Sequence, residues 1–530
     1  MLFGAMQSEL QRGMTLQIPK LSPPFFISYM VQDGERFQAQ SSLGATMYSR
    51  ALPQRSFTVR LLTGSYAQTN ELYEGGSSEY AGNATIDSSC VELRRSLWLG
   101  SDALYKYAAE QLARKQAALL LQNLPDDEKD LPDFSQEKVA RVEYANAEKM
   151  PSVATWENTL REVSAVFRAY PDISSSAVQL DICVSSIYLV SSEYARVKFP
   201  LNFSTLGISA SLIQADGKRL YHSREYVSRT ADGLPNAAQL KADAERLAEE
   251  LLAVSSAPKH NEAYSGPVIF EGEALRSLLM RRLFEGSQAL FALRSDISGT
   301  RPKTLDDKMN KKVIASQLSV KSMPVLEQHK GVSLVGSYRV DAEAVVPPDS
   351  ILLIENGMLR AMLNDRIPSK NALHSTGSSS VGYMGKTQPS PNVVKVEASE
   401  TISRDSLKRK LLSLATAEGF DYAYIVRSLA SNGNPFLLYR VSVKNGEEEL
   451  VQAAELGALP LSKFKRVAGI SDEELVENFS FGGVSTSIIM PAAMIVEDVD
   501  IDKERESSRV KPPVVENPVK EKIVEKKKKK

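Results

Sequence analysis

Three glycine-containing turns, each flanked by strand-like residues, constrain the fold of this chain more than any other sequence feature. Asn-Gly and Asp-Gly dipeptides tolerate positive φ and therefore favour tight β-hairpins. The predicted hairpins are Leu206–Val227 (turn Asp216-Gly217), Ile351–Leu363 (turn Asn356-Gly357) and Tyr439–Leu450 (turn Asn445-Gly446). Strand-like runs also occur at Phe57–Leu62, Ala177–Val190 and Val332–Val346. This antiparallel character argues against a doubly wound parallel sheet.

Helical patterns are fewer but distinct. Apolar residues at helical spacing, together with capping residues and terminating prolines or glycines, mark each of them. The predicted helices are Ser96–Gln122, Trp156–Tyr170 (ended by Pro171), a helix capped by Asn236 that runs to about Val254, Glu271–Leu283, and one after Ser403 that ends at Gly419. Helices and antiparallel strands together predict an α+β fold with flanking helices and a β-rich C-terminal domain.

The length of 530 residues exceeds what a single hydrophobic core usually supports, so several domains are expected. Polar, proline-bearing residues 123–136 are predicted to form a solvated linker, and residues 255–266 to form a domain boundary. The predicted division is 1–135, an N-terminal α+β region; 136–260, a middle domain; 261–500, a β-rich domain; and 501–530, a disordered basic tail. That tail holds 11 Lys and Arg against 6 Asp and Glu.

Composition excludes several functional classes. The net charge of −1 gives no field for gathering nucleic acid, and no stretch of 18 apolar residues exists to span a bilayer. Cys90 and Cys183, the two cysteines, are predicted to be buried and reduced. The N-terminus becomes polar too soon for a secretory leader, which favours the cytoplasm, or the periplasm if a leader has been removed.

Motifs that carry chemistry are absent from the sequence. The four histidines, His222, His260, His329 and His374, form no helical metal-binding pair, and each is predicted to be a surface or hydrogen-bonded structural residue. No nucleophile elbow occurs. The Ser375–Gly382 tract could form an anion-binding nest but lacks the lysine of a phosphate-binding loop, so a flexible surface loop is predicted.

Four stretches of sequence resemble the TldD/PmbA family of zinc-dependent peptidases and their inactivated homologues. Two of them are Gly266–Leu279, similar to the family's strand-into-helix segment, and Leu352–Arg366, similar to its most recognisable hairpin. Asp306–Ser316 and Ser375–Gly377 follow the family's order as well. The resemblance covers nearly all of residues 40–500 and implies two subunits that enclose a peptide cavity.

Active members of this family carry His-Glu-x-x-x-His on the helix that begins here near Glu271, and a later cysteine. The imidazoles and thiolate hold zinc, and the glutamate takes a proton from zinc-bound water. In this chain Met280 and Glu285 replace the histidines, Arg281 replaces the glutamate, and Phe479–Ser485 contains no cysteine. Arginine is unsuited to the base position because its cation would repel zinc.

The resemblance therefore implies a non-catalytic partner or scaffold subunit, without a metal or other cofactor of its own. It would form a homodimer, or a heterodimer with a zinc-bearing TldD-type paralogue. Contacts with peptide backbone are expected at Glu355, Asn356, Gly357, Asp365, Ser375, Thr376 and Gly377. Two alternatives remain open: a metallopeptidase with a site rebuilt from His260, Glu285 and His374, or a protein that binds a peptide or small ligand.

Overall fold

The computed structural model describes residues 1–73, 78–87, 89–121, 128–145, 148–286, 289–294, 297, 305–381 and 387–504. Within them, helices pack on one face of the first sheet, whereas one large sheet of the C-terminal half has a helix on each face. The α-helices are α1 Leu2–Gly13, α2 Val91–Leu119, α3 Val153–Ala165, α4 Ala237–Ser256, α5 Gly272–Phe284 and α6 Arg404–Ala417. Short 3₁₀ turns occur at Val166–Ala169, Ala231–Gly233, Asp306–Lys308 and Leu461–Lys465.

The first sheet has seven strands in the order β3-β2-β1-β5-β6-β4, with β7 also paired to β6. Its pairs are antiparallel apart from the parallel pair of β4 with β6. The strands are β1 Pro24–Ser42, β2 Ala45–Thr63, β3 Glu79–Asn83, β4 Arg141–Glu143, β5 Ile173–Ser191, β6 Arg196–Ile213 and β7 Arg219–Ser228. This sheet takes strands from both sides of residue 135, and the division of the chain into domains stays a prediction.

Side-chain alternation along β1 decides which face of this sheet the helices cover. Ile27, Tyr29 and Val31 are buried with α1 and α2, whereas Phe37 and Ala39, of the same parity, are buried with α3 and α4. All four helices therefore pack on one face, where burial of apolar surface stabilises the fold by roughly 25 cal/mol per Å². The opposite face is left for contact with the C-terminal half.

The C-terminal half contains two mixed sheets that pack around α5. One has the order β13-β12-β9-β16-β23-β22, and the other β19-β18-β17-β8-β24-β20 with β21 paired to β24. Two small sheets, β10-β11 and β14-β15, accompany them. The strands are β8 Tyr264–Glu271, β9 Leu318–Ser322, β10 Gln328–His329, β11 Val332–Ser333, β12 Ile351–Glu355, β13 Met358–Leu359, β14 Ser379–Val381, β15 Thr387–Pro389, β16 Val393–Ala398, β17 Tyr422–Leu429, β18 Pro435–Ser442, β19 Glu448–Val451, β20 Ala454–Leu456, β21 Val467–Ile470, β22 Glu474–Phe481, β23 Val484–Pro491 and β24 Ala493–Lys503.

All three predicted hairpins are present. They correspond to the pairs β6–β7, β12–β13 and β18–β19. The glycine of each turn has positive φ: +82° at Gly217, +80° at Gly357 and +74° at Gly446. The Asp-Gly and Asn-Gly signals therefore place the turns correctly, although the second strand of the middle hairpin is only two residues long. The predicted α+β class is confirmed.

The predicted helices are confirmed with shifts at their ends. α2 begins at Val91, five residues before the predicted start, and the predicted last residue, Gln122, lies outside the described residues. α3 continues into a 3₁₀ turn that ends before Pro171. Asn236 caps α4 in a capping box with Gln239.

Three sequence expectations are wrong. Val332–Val346 forms a strand only at residues 332–333, because later residues are held by loop hydrogen bonds instead of a strand ladder. The linker expected at 123–136 is not solvated where the structure describes it, since Phe134 is fully buried and Asp133 pairs with Lys115 and Arg294. Residues 501–503, expected in the tail, end β24, whereas 505–530 lie outside the described residues.

The cysteines and the hydropathy pattern behave as the sequence predicts. Cys90 and Cys183 are both free and buried. Among the described helices, none combines the length and the apolar character that crossing a membrane requires.

Candidate functional site

Helix α5 lies at the centre of the C-terminal core. It follows β8 directly, and Gly272 makes the change of direction with φ +51°. The inner face predicted from helical spacing is buried in full. Its members are Ala274, Leu275, Leu278, Leu279 and Leu283. This amphipathic helix therefore packs its apolar face into the C-terminal core.

The three residues in the expected zinc window do not converge. Met280 is buried in the apolar core, with 1% of its surface exposed. Arg281 instead donates a hydrogen bond to the carbonyl oxygen of Ser431 at 3.3 Å. Glu285 is the exposed residue that ends the helix. A buried thioether, a cation held elsewhere and a single exposed carboxylate do not fit the donor set of a zinc site.

The second segment implied by the family, Phe479–Ser485, does lie beside α5. Arg276 of the helix pairs with Glu477 at 2.6 Å, and its guanidinium lies 4.5 Å from the centre of the Phe479 ring. Burial, and to a lesser extent the nearby Glu273, raise the pKa of Glu477, while Arg276 opposes this effect. The fold therefore joins the two segments through an ion pair and a ring contact.

Each of the four histidines contacts a polar group elsewhere in the fold. Three of them face a glutamate: His222 with Glu250, His329 with Glu474 and His374 with Glu137. The fourth, His260, contacts the carbonyl oxygen of Ile501 and the ring of Tyr424. Across the described parts of the chain, no group of three His, Cys, Asp or Glu side chains is arranged to hold a metal ion. His260, Glu285 and His374 form no such group.

The residues predicted to contact peptide separate into two sets. Glu355, Asn356 and Gly357 form the β12–β13 turn, which packs against the segment around β9. The Asn356 N–H donates to Ser319 Oγ, and the Gly357 N–H donates to the carbonyl oxygen of Leu318. Glu355 forms an exposed ion pair with Arg360. The backbone of this turn is therefore bonded to the neighbouring strand β9 of the same chain.

The second set, Asp365 with Ser375, Thr376 and Gly377, lies where the C-terminal half meets the first sheet. Thr376 exchanges backbone and side-chain hydrogen bonds with Asn364, and the carbonyl oxygen of Gly377 accepts a hydrogen bond from the Tyr338 hydroxyl. The prediction of a flexible surface loop is wrong for residues 375–381. Ser378 and Ser379 are buried, because the loop is held against the junction by these bonds.

A cluster of charged residues at this junction was not predicted from the sequence. Arg60 of β2 forms ion pairs with Glu343 and, through both carboxylate oxygens, with Glu71 at 3.0 and 3.1 Å. Glu343 also accepts hydrogen bonds from Ser379 Oγ at 2.6 Å and from the Arg366 N–H at 3.1 Å. The guanidinium of Arg60 thus joins the first sheet to Glu343 of the C-terminal half and to Glu71 in the loop that follows β2.

Carboxyl groups in the cluster have raised pKa values. Burial, reinforced by the charge of Glu343, raises the pKa of Asp341 to about 8 and that of Asp365 to about 7. Burial also raises the pKa of Glu79, against the attraction of Arg60. Burial, assisted by neighbouring carboxylates, therefore favours the neutral form of these groups.

A small pocket, partly open to solvent, lies beside this cluster, with a cavity volume of ≈ 20 Å³. Side chains from neighbouring strands form its floor on one face of the first sheet, and loops of the C-terminal half cover it. The lining residues are Phe26, Ser28, Met30, Thr58, Arg60, Glu79, Leu189, Ser191, Ala342, Glu343, Val381 and Thr387.

The strand register explains how distant residues form this floor. Arg60 lies opposite both Glu79 and Ser28, and Ser28 lies opposite Ser191, so one row crosses four strands. The members of this row are far apart in the sequence and share no motif. Only the pairing of β2 with β3 and β1, and of β1 with β5, brings them together.

Comparison with known proteins identifies the fold of the chain and the family of its C-terminal domain. Residues 263–503 match the family model of the PmbA/TldA metallopeptidase C-terminal domain. A search of curated proteins gives no match.

Solved structures share the fold over nearly the whole chain. A protein from Thermotoga maritima described as a modulator of a DNA gyrase matches with TM-score 0.58 and 14% identity, over 90% of this chain and 96% of its own. TldE from Thermococcus kodakarensis matches with TM-score 0.56 and 13% identity, over 94% of this chain and 100% of its own. A protein from Bacteroides thetaiotaomicron, also described as a modulator of DNA gyrase, matches with TM-score 0.60 and 12% identity, over 94% of this chain and 98% of its own. Residues 263–503 thus match the TldD/PmbA family, and the chain as a whole shares the fold of these solved structures.

Proposed function

We propose that this chain is a non-catalytic member of the TldD/PmbA family that serves as a partner or scaffold subunit of a peptide-enclosing assembly. The observation that carries the proposal is the placement of Met280, Arg281 and Glu285. One is buried in the core, one is hydrogen-bonded to the 431 turn, and one is exposed at the helix end. None of them is positioned to hold zinc with the others.

A zinc peptidase needs a metal-bound water and a group that takes its proton. Arg281 cannot take a proton at any physiological pH, and its charge disfavours a nearby divalent cation. The ion pair of Arg276 with Glu477, at the segment where relatives place a cysteine, gives the same region a structural role. These features support a subunit that retains the fold without the chemistry.

The proposed partner is a second copy of this chain or a TldD-type paralogue with an intact His-Glu-x-x-x-His motif. Peptide is the proposed ligand of the assembly, and we place its contacts at Asp365 and the loop Ser375–Gly377. The absence of a nucleic-acid partner and the cytoplasmic location remain predictions from the sequence.

The proposal is tested by incubating the purified full chain with zinc and a mixture of unstructured peptides, followed by mass spectrometry of the products. We expect no cleavage by the chain alone. A family member that carries the His-Glu-x-x-x-His motif, added to the same mixture, serves as the positive control. Cleavage by the chain alone, lost in the variants His260→Ala or His374→Ala, would support the rebuilt metal site instead.

A further inference from the structure

Three Asn-Gly dipeptides occur in the chain, and the asparagine of each is exposed in a turn between two strands. They are Asn356-Gly357, Asn432-Gly433 and Asn445-Gly446. Because glycine has no side chain to shield its backbone nitrogen, this nitrogen can attack the side-chain carbonyl carbon of the preceding asparagine. Each turn is therefore a candidate for a covalent change that the proposed function does not use.

The turn at Asn356 is held in place on both sides of the dipeptide. The Asn356 N–H donates to Ser319 Oγ at 2.9 Å, and the N–H of the buried Gly357 donates to the carbonyl oxygen of Leu318 at 2.8 Å. The carbonyl oxygen of Gly357 also accepts a hydrogen bond from the Val313 N–H at 2.8 Å. The glycine nitrogen can attack only after its N–H leaves the acceptor and the backbone rotates, so these bonds protect Asn356.

The turn at Asn445 is more open but carries a neighbouring negative charge. The Gly446 N–H donates to the carbonyl oxygen of Ser442 at 2.8 Å, and a Cβ on Gly446 would meet only a leucine side chain. Asn445 Nδ2 donates to the carboxylate of Glu447 at 2.8 Å. Attack by the glycine nitrogen requires that this nitrogen first lose its proton, and a nearby carboxylate disfavours the resulting negative charge. Asn445 is therefore accessible but not activated.

The turn at Asn432 differs from the other two because a cation lies beside it. Arg281, near the end of α5, donates a hydrogen bond to the carbonyl oxygen of Ser431 at 3.3 Å. A Cβ built on Gly433 would lie 2.9 Å from a terminal nitrogen of the same guanidinium. Asn432 Oδ1 accepts a hydrogen bond from the Asn434 N–H at 3.1 Å, which polarises the side-chain carbonyl. A positive charge and a hydrogen-bond donor thus lie where negative charge develops during the attack.

We propose that Asn432 is a site of spontaneous deamidation, and that Arg281 makes it react faster than Asn445 and Asn356. The Gly433 nitrogen loses its proton to hydroxide and forms a bond to Asn432 Cγ. The Cγ–Nδ2 bond then breaks, ammonia leaves, and a succinimide ring remains. Water opens this ring, so that aspartate or isoaspartate replaces asparagine, with a water consumed and an ammonia released. The inference goes beyond the proposed function and holds whether or not the chain binds zinc.

Peptide mapping of the aged full chain tests this inference. The purified protein is incubated at mildly alkaline pH, samples are digested under mildly acidic conditions, and mass spectrometry measures aspartate and isoaspartate at each of the three sites. Conversion is expected first at Asn432, more slowly at Asn445, and least at Asn356. Conversion at Asn445 or Asn356 as fast as at Asn432 would overturn the inference.

Substitutions at Arg281 separate the effect of its charge from that of the turn. Arg281→Gln removes the charge and is expected to slow conversion at Asn432 about threefold or more, whereas Arg281→Lys retains the charge and most of the rate. Asn445 in the same molecules is the matched control and is expected to react at an unchanged rate. An unchanged rate at Asn432 in Arg281→Gln, or equal slowing at both sites, would contradict the role of Arg281.

Salt provides a second measurement on the unaltered chain, which decides if Arg281→Gln fails to fold. High ionic strength screens exposed charges, so the ratio of the rates at Asn432 and Asn445 is expected to fall as salt is added. A ratio that does not change with salt would contradict an electrostatic effect of Arg281.

Discussion

Asp365 illustrates how the chemistry of a residue depends on neighbours that are distant in the sequence. Its carboxyl group lies near Glu343, Arg60 and Glu71, from three separate segments. In the sequence it is one of many carboxylates, and a solvated position is the natural expectation. The burial and the acidic surroundings that raise its pKa arise only when β2 meets the loops of the C-terminal half, which no local pattern encodes.

The raised pKa of Asp365 predicts a dependence of stability on pH. Its folded pKa of about 7 exceeds the ordinary value of about 3.9, so between these values the folded state binds more protons than the unfolded state. Its contribution to stability is therefore lost as pH rises through this range. Asp365→Asn should raise stability at pH 8 by on the order of 1 kcal/mol, with a smaller effect at pH 5.

Thermal unfolding of the two proteins at pH 5 and pH 8 measures this difference. Asp421→Asn, a substitution of an exposed aspartate before β17, serves as the control and is expected to change little at either pH. A lower unfolding temperature for Asp365→Asn at pH 8, or the same change at both pH values, would contradict the account.

At the scale of single elements, sequence signals predict the structure correctly where they act on the local backbone conformation. The Asp-Gly and Asn-Gly turns and the Asn236 cap are recognised because their residues satisfy local conformational needs. The strand β1 is not recognised, because Asp33-Gly34 in its middle has the appearance of a turn. Gly34 instead permits close approach to β5, since a Cβ there would lie 2.2 Å from the carbonyl oxygen of Val184.

Two Asn-Gly turns provide a matched test at this scale. Gly357 and Gly446 both have positive φ, yet a Cβ on Gly357 would lie 2.6 Å from the carbonyl oxygen of Ile314, whereas one on Gly446 meets only Leu412 at 3.8 Å. Gly446→Ala should cost about 1 kcal/mol from backbone strain alone. Gly357→Ala should cost about 1–3 kcal/mol more, because backbone must move.

Urea unfolding of both variants followed by circular dichroism gives the comparison. Equal destabilisation by the two substitutions would mean that the packing of the β12–β13 turn against the segment before β9 is looser than described. That result would also free the turn for ligand contact.

For the whole molecule, the fold class and the resemblance of residues 263–503 to a known family could be predicted from the sequence, but the contacts between the two halves could not. Strand-into-helix and hairpin patterns are local, so the resemblance identifies them. Arg366, in contrast, is 1% exposed and joins Glu193 of the segment after β5 to the carbonyl oxygen of Ser135. Such buried contacts depend on how the two halves pack, and they explain why the segment around Phe134 is core and not linker.

The central claim, that a family fold is retained here without its metal chemistry, is tested most directly by the zinc content of the purified full chain. The protein is equilibrated with excess zinc, passed through a desalting column and analysed by inductively coupled plasma mass spectrometry. Because Met280, Arg281 and Glu285 form no donor set, the account predicts far less than one zinc per chain. One tightly held zinc per chain would contradict it.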